Sequence, residues 1–528
     1  LSYNKKLEVI ITAFFCIITI CQTFVGFDPN VRVDDDPGGW SQVFPSLGIS
    51  SDGDTLYCVF RDFRYGFHDF PGLTLAKSSD CGTTWVNQLI YYGEIDVETS
   101  PRIVVDSQGW LHVVFGFISP GGVWYTRSTD NGINWTFPVM ISDTMSFIYS
   151  GSVSFIIDGS DNLYVMWHYY YEGVSDGYDI FFTKSMDHGA TWLRPNVIVN
   201  DTVSCHNQYP TFCFNGHDTI FVVWKDNRLS QGSHIFFSRS INAGIEWLDT
   251  NIKVNADTNL FNFYPQISSS NNVLYCVWAE CPGWTGHLKC SKSTDDGNSW
   301  TEPVIISEPF VQEKGSLRLD VDSLGNLYVV WPDSRQDTSD IFFSYSSDSG
   351  NTWHSPNIRV NDDTTQRPQT YADLLVKGSD DIYVVWTDSR EDTVPGYGHG
   401  PDIYFARGSI ISSIEEKQSC ALTKINLQTS PNPFNKKITV RYTIHDAGPP
   451  RFAEQGRGCR IADYRLQIKI YDISGHLVRS FNHLTSLPFS QIIWDGTDKA
   501  GFRVPTGVYF IILKSLNYST TKKVVFVK

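Results

Sequence analysis

One eight-residue pattern occurs six times in this chain of 528 residues. The copies read "SSDCGTTW" (78–85), "STDNGINW" (128–135), "SMDHGATW" (185–192), "SINAGIEW" (240–247), "STDDGNSW" (293–300) and "SSDSGNTW" (346–353). Their starts lie 50, 57, 55, 53 and 53 residues apart. A chain of this length is too long for one ordinary domain unless it is built of repeats, and this period suits one four-stranded propeller blade with generous loops.

A second landmark precedes each copy. It is an apolar run ending in an aromatic: "YCVF" at Tyr57, "HVVF" at His112, "YVMW" at Tyr164, "FVVW" at Phe221, "YCVW" at Tyr275, and "YVVW" at Tyr328 and Tyr383. These runs number seven, against six copies of the turn. Each unit reads as an inner strand, the apolar run, a "DIFF"-like strand, the turn and an outer strand such as "PNIRVN" (356–361). The seventh unit lacks an outer strand. The N-terminal segment "DPNVRVDD" (28–35) matches "SPNIRVNDD" (355–363) and is expected to supply it. Closing a ring in this way removes exposed sheet edges. The expected fold is therefore all-β: a seven-bladed β-propeller over residues 27–411, followed by a small immunoglobulin-like β-sandwich.

The turn has a physical reading. Gly350 takes positive φ without steric conflict, Asp348 accepts hydrogen bonds from turn amides, and Trp353 opens the outer strand and packs between sheets. Its recurrence predicts that the six indoles are largely buried. The pattern S-x-D-x-G-x-T-W resembles the Asp box of bacterial neuraminidase (sialidase, BNR) repeats. That resemblance covers the propeller region and implies the fold, not the activity. It places the Asp boxes on the face away from any active site.

Charge divides the chain. Residues 421–528 hold 16 Lys+Arg against 6 Asp+Glu, leaving 25 basic and 51 acidic residues elsewhere. An acidic body excludes nucleic-acid binding through a general electrostatic footprint. With 41% apolar residues, a packed core rather than disorder is expected. After a polar linker (412–424) come "SPNPFNKKITVRYTI", "LQIKIYDISGHLVRSF" and "IIWDGTDKAGFRVPTGVYF", alternating strands with Gly turns. "NPFN", "IYDISG", "WDGTD" and "GVYF" closely resemble the C-terminal sorting domain (425–528) of type IX secretion cargo. The resemblance implies a Gram-negative bacterium, passage through the periplasm and outer membrane, and a secreted or cell-surface product. The insert 445–465 departs from the usual short loop. At the other end, Lys5 and Lys6 precede an apolar run from Val9 to Ile20, which reads as a secretion signal peptide (1–26). The run is short for a membrane span, so none is expected in the mature protein.

Nine of the 11 Cys lie beyond the signal and show no metal-ligand spacing. Cys276 and Cys290, on neighbouring strands, are a possible disulfide; buried free thiols are the equal alternative. No cofactor motif is present and no metal site is expected. "DDD" (34–36) and "NDDT" (361–364) read as solvated loop carboxylates.

Sialidases, by resemblance, use three Arg for the substrate carboxylate, a Tyr nucleophile with a Glu, and an Asp acid/base. The repeated Asp-x-Arg positions Arg64, Arg228, Arg335 and Arg390 read instead as blade-to-blade ion pairs. Arg102, Arg318 and Arg367, near inner-strand starts, are the candidates for the carboxylate clamp. Tyr371 is the candidate nucleophile and Glu313 its partner. Two functions stay open. One is an exported surface module that binds a glycan or a cell-surface protein through aromatic loops such as Tyr169-Tyr170-Tyr171 and Phe261 to Tyr264. The alternative is an exo-α-sialidase or related glycoside hydrolase.

Overall fold

The computed structural model describes residues 20–527, apart from residues 38, 66–70, 93–99, 118–120, 144–152, 171–176, 203–204, 216–217, 230–231, 257–259, 284, 312–316, 336–337, 379–380, 393–399, 415–421, 447–463, 474–476, 486–488, 500 and 516–517. The chain divides after Ser413 into two compact units. Among the described residues, regular structure is strand apart from the 3-10 turn Phe63–Tyr65. No described helix is long and apolar enough to cross a membrane.

The described strands of the first unit form seven antiparallel sheets in chain order. Their first strands are Gln42–Ile49, Arg102–Val105, Val153–Ile157, Gln208–Phe214, Phe261–Ser270, Arg318–Val321 and Gln369–Lys377. Each first strand packs on the first strand of the next sheet, and Gln369–Lys377 packs back on Gln42–Ile49. The result is a closed, propeller-like ring.

The apolar runs form the second strands, and the ring explains their composition. Side chains alternate across a strand, and here both faces are covered. Val165 and Trp167 pack toward the second sheet, while Tyr164 and Met166 pack toward the fourth. Trp167, Trp224, Trp278, Trp331 and Trp386, which end these runs, are among the largest fully buried side chains.

The seventh sheet is completed from the N-terminus. Val31 pairs with Phe405 and Arg32 with Tyr404, where the 28–35 match places an outer strand. Asp34 Oδ2 accepts the Ile403 N–H at 2.8 Å, as Asn361 Oδ1 accepts the Ile341 N–H at 2.9 Å in the sixth sheet. Strand Ile20–Phe27 also pairs with Asp402–Ile414. It overlaps the last residues of the expected signal segment, the rest of which lies outside the described residues.

Five of the six turns share one set of bonds, and in the fourth Asn242 Nδ2 donates to Glu246 (3.1 Å) in place of the last of them. In the sixth, Ser346 Oγ donates to Asp348 Oδ1 (2.8 Å) and accepts the Gly350 N–H (2.9 Å), and the Thr352 N–H and Oγ1 both donate to Asp348 (2.9 and 2.6 Å). Ser349 and Gly350 take φ of 58° and 77°. The glycine also allows close approach: a Cβ on Gly244 would lie 2.1 Å from the Phe182 ring of the third sheet. The turn Trp residues are only partly buried, at the edges of the inter-sheet cores rather than inside them. The fully buried indoles are those of the second strands.

Cys276 and Cys290 are not bonded. Cys290 pairs in register with Val277, one residue along, so Cys276 and Cys290 face opposite sides of the fifth sheet and enter different cores. Both are buried free thiols, with Cys58 and Cys281. The acidic runs are only partly solvated: Asp35 and Asp362 are exposed. Asp34, Asp36 and Asp363 are buried and bonded, Asp36 to Trp40 N–H and Asp363 to Gln369 Nε2 (2.8 and 2.9 Å).

The second unit is a small sandwich of a three-stranded and a four-stranded sheet. Trp494, Phe434, Tyr509 and Phe526 form its aromatic core. The insert 445–465 lies almost wholly outside the described residues.

Candidate functional site

The repeated Asp-x-Arg pairs join neighbouring sheets. Arg228 binds Asp226 of its own strand (2.7 Å) and Asp201 of the third sheet (2.5 Å), with its guanidinium 4.2 Å over the Phe236 ring. Arg390 repeats this with Asp388, Asp362 and Tyr404, and Arg335 with Asp333, Glu308 and Phe342. Arg64 binds Asp62 and Asp35. Each guanidinium is held between its own sheet and the preceding one.

A cavity of about 420 Å³ runs between the first strands. Ser46, Arg102, Ser154, Thr211, Ser268, Arg318 and Asp373, one from each first strand, lie on its wall. It is the axial tunnel of the ring. Arg102 and Arg318 meet there on one carboxylate: Arg318 Nε donates to Asp373 Oδ1 at 2.7 Å, and Arg102 Nη1 lies 3.7 Å from the same oxygen. Asp373 Oδ2 accepts the Leu47 N–H at 2.9 Å. Two residues before Asp322 on the sixth first strand, Asp320 accepts the Val376 N–H at 2.8 Å, and burial pushes its carboxyl up to about 6.

Arg367 is not on the tunnel wall. The Tyr371 ring lies 4.2 Å from the Phe44 ring, tilted by 56°, and burial raises its phenol pKa against the lowering effect of Arg61. Glu313 lies outside the described residues. The structure therefore joins two of the three candidate Arg, and it joins them to Asp373. Tyr169 is core, 8% exposed, and Tyr171 lies outside the described residues, whereas Phe261 is exposed.

Tyr371 belongs to a feature that periodicity did not single out. In the first, fourth, fifth and seventh sheets the first strand bulges: two residues oppose one, at Phe44-Pro45, Tyr209-Pro210, Tyr264-Pro265 and Tyr371-Ala372. All four aromatics take left-handed φ, between 49° and 58°. That conformation is unfavourable for a bulky side chain and is held by its surroundings. The first strands begin opposite the ends of the second strands, whereas the turns lie beside the beginnings of the second strands. The four rings thus crowd the tunnel mouth away from the turns. Phe44 contacts Tyr371 and Tyr209 contacts Tyr264 at 4.9 Å. Burial raises the Tyr264 phenol pKa first, and the Tyr209 and Tyr371 phenols add to the shift.

Two cations and an imidazole surround these rings. Arg61 lies 5.2 Å over Phe44. Lys225 lies 6.0 Å over Tyr209 and 5.1 Å over Phe263, donates to Gln208 Oε1 at 3.2 Å, and is lowered in pKa by burial. His168 accepts the Tyr209 N–H at Nδ1 (3.3 Å), and burial lowers it to about 3, so it stays neutral. The aromatic–Pro pairs "FPS", "YPT" and "YPQ" are the sequence signal for this crown.

Residues 429–528 match the family of secretion system C-terminal sorting domains. The tail is such a domain, of the kind handled by type IX secretion. No curated protein matches the chain. Among solved structures, an ulvan lyase of a polysaccharide lyase family is 13% identical, covering 72% of this chain and 95% of its own, with a TM-score of 0.49. An α-L-arabinofuranosidase from Fusarium graminearum is 12% identical over 72% of this chain and 97% of its own (TM-score 0.42). The leech intramolecular trans-sialidase is 15% identical over 71% and 69% (TM-score 0.38). Likeness at this level says nothing about activity.

Proposed function

We propose that this protein is a seven-bladed, Asp-box propeller with an immunoglobulin-like sorting sandwich. It is exported through the periplasm and outer membrane to the surface of a Gram-negative bacterium, where it binds a glycan without cleaving it. The observation that carries this reading is the crown of Phe44, Tyr209, Tyr264 and Tyr371, four aromatics in left-handed bulges at one tunnel mouth. Aromatic faces stack on sugar rings, and a platform held against backbone strain is preorganised to do so. Arg61 and Lys225 add donors for hydroxyl or acidic groups.

The exo-α-sialidase reading draws support from Arg102 and Arg318 meeting in the tunnel. Against it, Asp373 already engages both, Arg367 is off the wall, and burial pushes the Tyr371 phenol up. The test is a glycan array probed with the purified full-length protein, followed by calorimetry on Tyr209→Ala and Tyr371→Ala. A glycan hit weakened at least tenfold in both variants is expected, with no turnover of a fluorogenic sialoside. Sialoside turnover abolished by Arg102→Ala would replace binding with hydrolysis.

A further inference from the structure

The repeats supply their own control. A residue that departs from its counterparts in other sheets is not needed for building a sheet. Three such departures converge on the turn face between the second and third sheets. His112 stands where the other second strands carry Tyr57, Tyr164, Phe221, Tyr275, Tyr328 and Tyr383. Asp161 stands where the matching turns "DSQGW" and "DSLGN" carry Gly109 and Gly325, and it takes their left-handed conformation (φ 64°). His188 stands where the other eight-residue turns carry Cys81, Asn131, Ala243, Asp296 and Ser349.

All three gather around Asp106, a buried carboxylate. His188 Nδ1 and His112 Nε2 each lie 3.2 Å from Asp106 Oδ2. Donor atoms of Asp106, Asp161 and His188 all fall within 4.8 Å of one another. Supporting bonds fix each of them. Asp106 Oδ1 accepts the Gln108 and Trp110 N–H groups at 2.9 and 2.8 Å. Asp161 accepts from the Ser107 N–H and Oγ at 2.8 and 2.5 Å. His112 Nδ1 lies 2.7 Å from the Tyr125 hydroxyl, which in turn donates to His188 O at 3.2 Å. Arg127 Nη1 donates to His188 O at 2.5 Å and holds that backbone.

We infer that Asp106, Asp161 and His188 form a binding site for a divalent transition-metal ion, with His112 as the outer partner that orients Asp106. One imidazole and two carboxylates are a donor set for zinc-like ions rather than calcium. The separation of 3.2 Å between His188 Nδ1 and Asp106 Oδ2 is close to the edge of a tetrahedron with metal–ligand bonds of about 2 Å. Gln108 Nε2, an amide donor, lies 3.4 Å from His188 Nε2, so the imidazole proton sits on Nδ1 facing Asp106. Binding of the ion at Nδ1 shifts that proton to Nε2, where Gln108 turns its amide to offer Oε1 as acceptor, and Asp161 completes three protein ligands. A hydrogen-bonded second partner such as His112 is the usual companion of a metal-bound carboxylate. The ion ties the second sheet to the third on the face opposite the aromatic crown, independently of glycan binding.

The repeats also provide the test variants. Asp161→Gly and His188→Asn install residues that other copies already carry at these positions, so folding is preserved. Untagged full-length protein is stripped with a chelator and titrated with zinc chloride by calorimetry, with calcium chloride in parallel, and its unfolding temperature is followed. The expected result is one zinc per chain, a raised unfolding temperature in the wild type, and affinity lowered at least tenfold in each variant. Absence of stoichiometric zinc binding, unchanged affinity in both variants, or binding of calcium in preference to zinc would each overturn the site.

Discussion

Gly244 stands so close to Phe182 that a methyl group on its Cα would lie 2.1 Å from the ring of the preceding sheet. Its φ of 86° excludes side chains a second time. Gly244→Ala is therefore expected to lower stability by roughly 2–4 kcal/mol. Gly109 has a similar φ of 79° with nothing within 4 Å, so Gly109→Ala isolates the backbone effect. That substitution should cost about 1 kcal/mol. Urea denaturation of both variants checks this, and equal losses would show that the close approach is not what restricts the position.

Asn30 holds the ring shut. It exchanges bonds with Asp362, 2.9 Å from its N–H and 2.8 Å to its Oδ1, and accepts Arg390 Nη2 at 2.8 Å. Asn30→Ala should lower stability by about 1–2 kcal/mol. Combined with Asp362→Ala it should cost less than the sum of the single changes, because both side chains accept from the one Arg390 guanidinium. A double-mutant cycle in denaturant measures the coupling, and strict additivity would contradict the shared clamp.

The partly buried Asp320 carboxyl gives stability a pH dependence. Its value of about 6 is raised above that of an unfolded chain, near ~3.9, so the folded protein holds the proton more tightly. The associated stability is fully present below about pH 4 and is lost as pH rises through about 6. Asp320→Asn keeps an oxygen for the Val376 N–H and removes the titration. Relative to this variant, the wild type should lose on the order of 2 kcal/mol across that window. Denaturation midpoints at several pH values provide the readout, and parallel curves would count against the assignment.

Deleting the sorting domain should block export without unfolding the ring. A chain ending at Ser413, the boundary between the two compact units, is expected to accumulate in the periplasm in protease-resistant form. Fractionation decides the matter, and normal surface display of the shortened chain would argue against the assigned role of the tail.

The ring was legible because its parts repeat along the chain. Seven apolar runs against six turns gave the missing strand, and the likeness of 28–35 to 355–363 said where it lay. The Cys276–Cys290 pairing was not decided by strand proximity, because a shift of one residue in register puts the two thiols on opposite faces. The crown escaped for a different reason. Phe44 and Tyr371 are neighbours only because the last sheet returns to the first. The turn indoles misled because recurrence reports a common position in the repeat, and that position lies at the rim of each core rather than within it.

The pairing of Val31 with Phe405 also has a temporal meaning. An early strand of the chain must wait, unpartnered, until nearly four hundred residues have been synthesised and delivered. Loop closure over that span is entropically unfavourable and comes late, after the local hairpins have formed. Until then the seventh sheet stays open at its edge. The ring therefore completes in one terminal step, and a chain stalled in mid-synthesis or mid-translocation remains an unsealed arc that export factors and proteases can still grip.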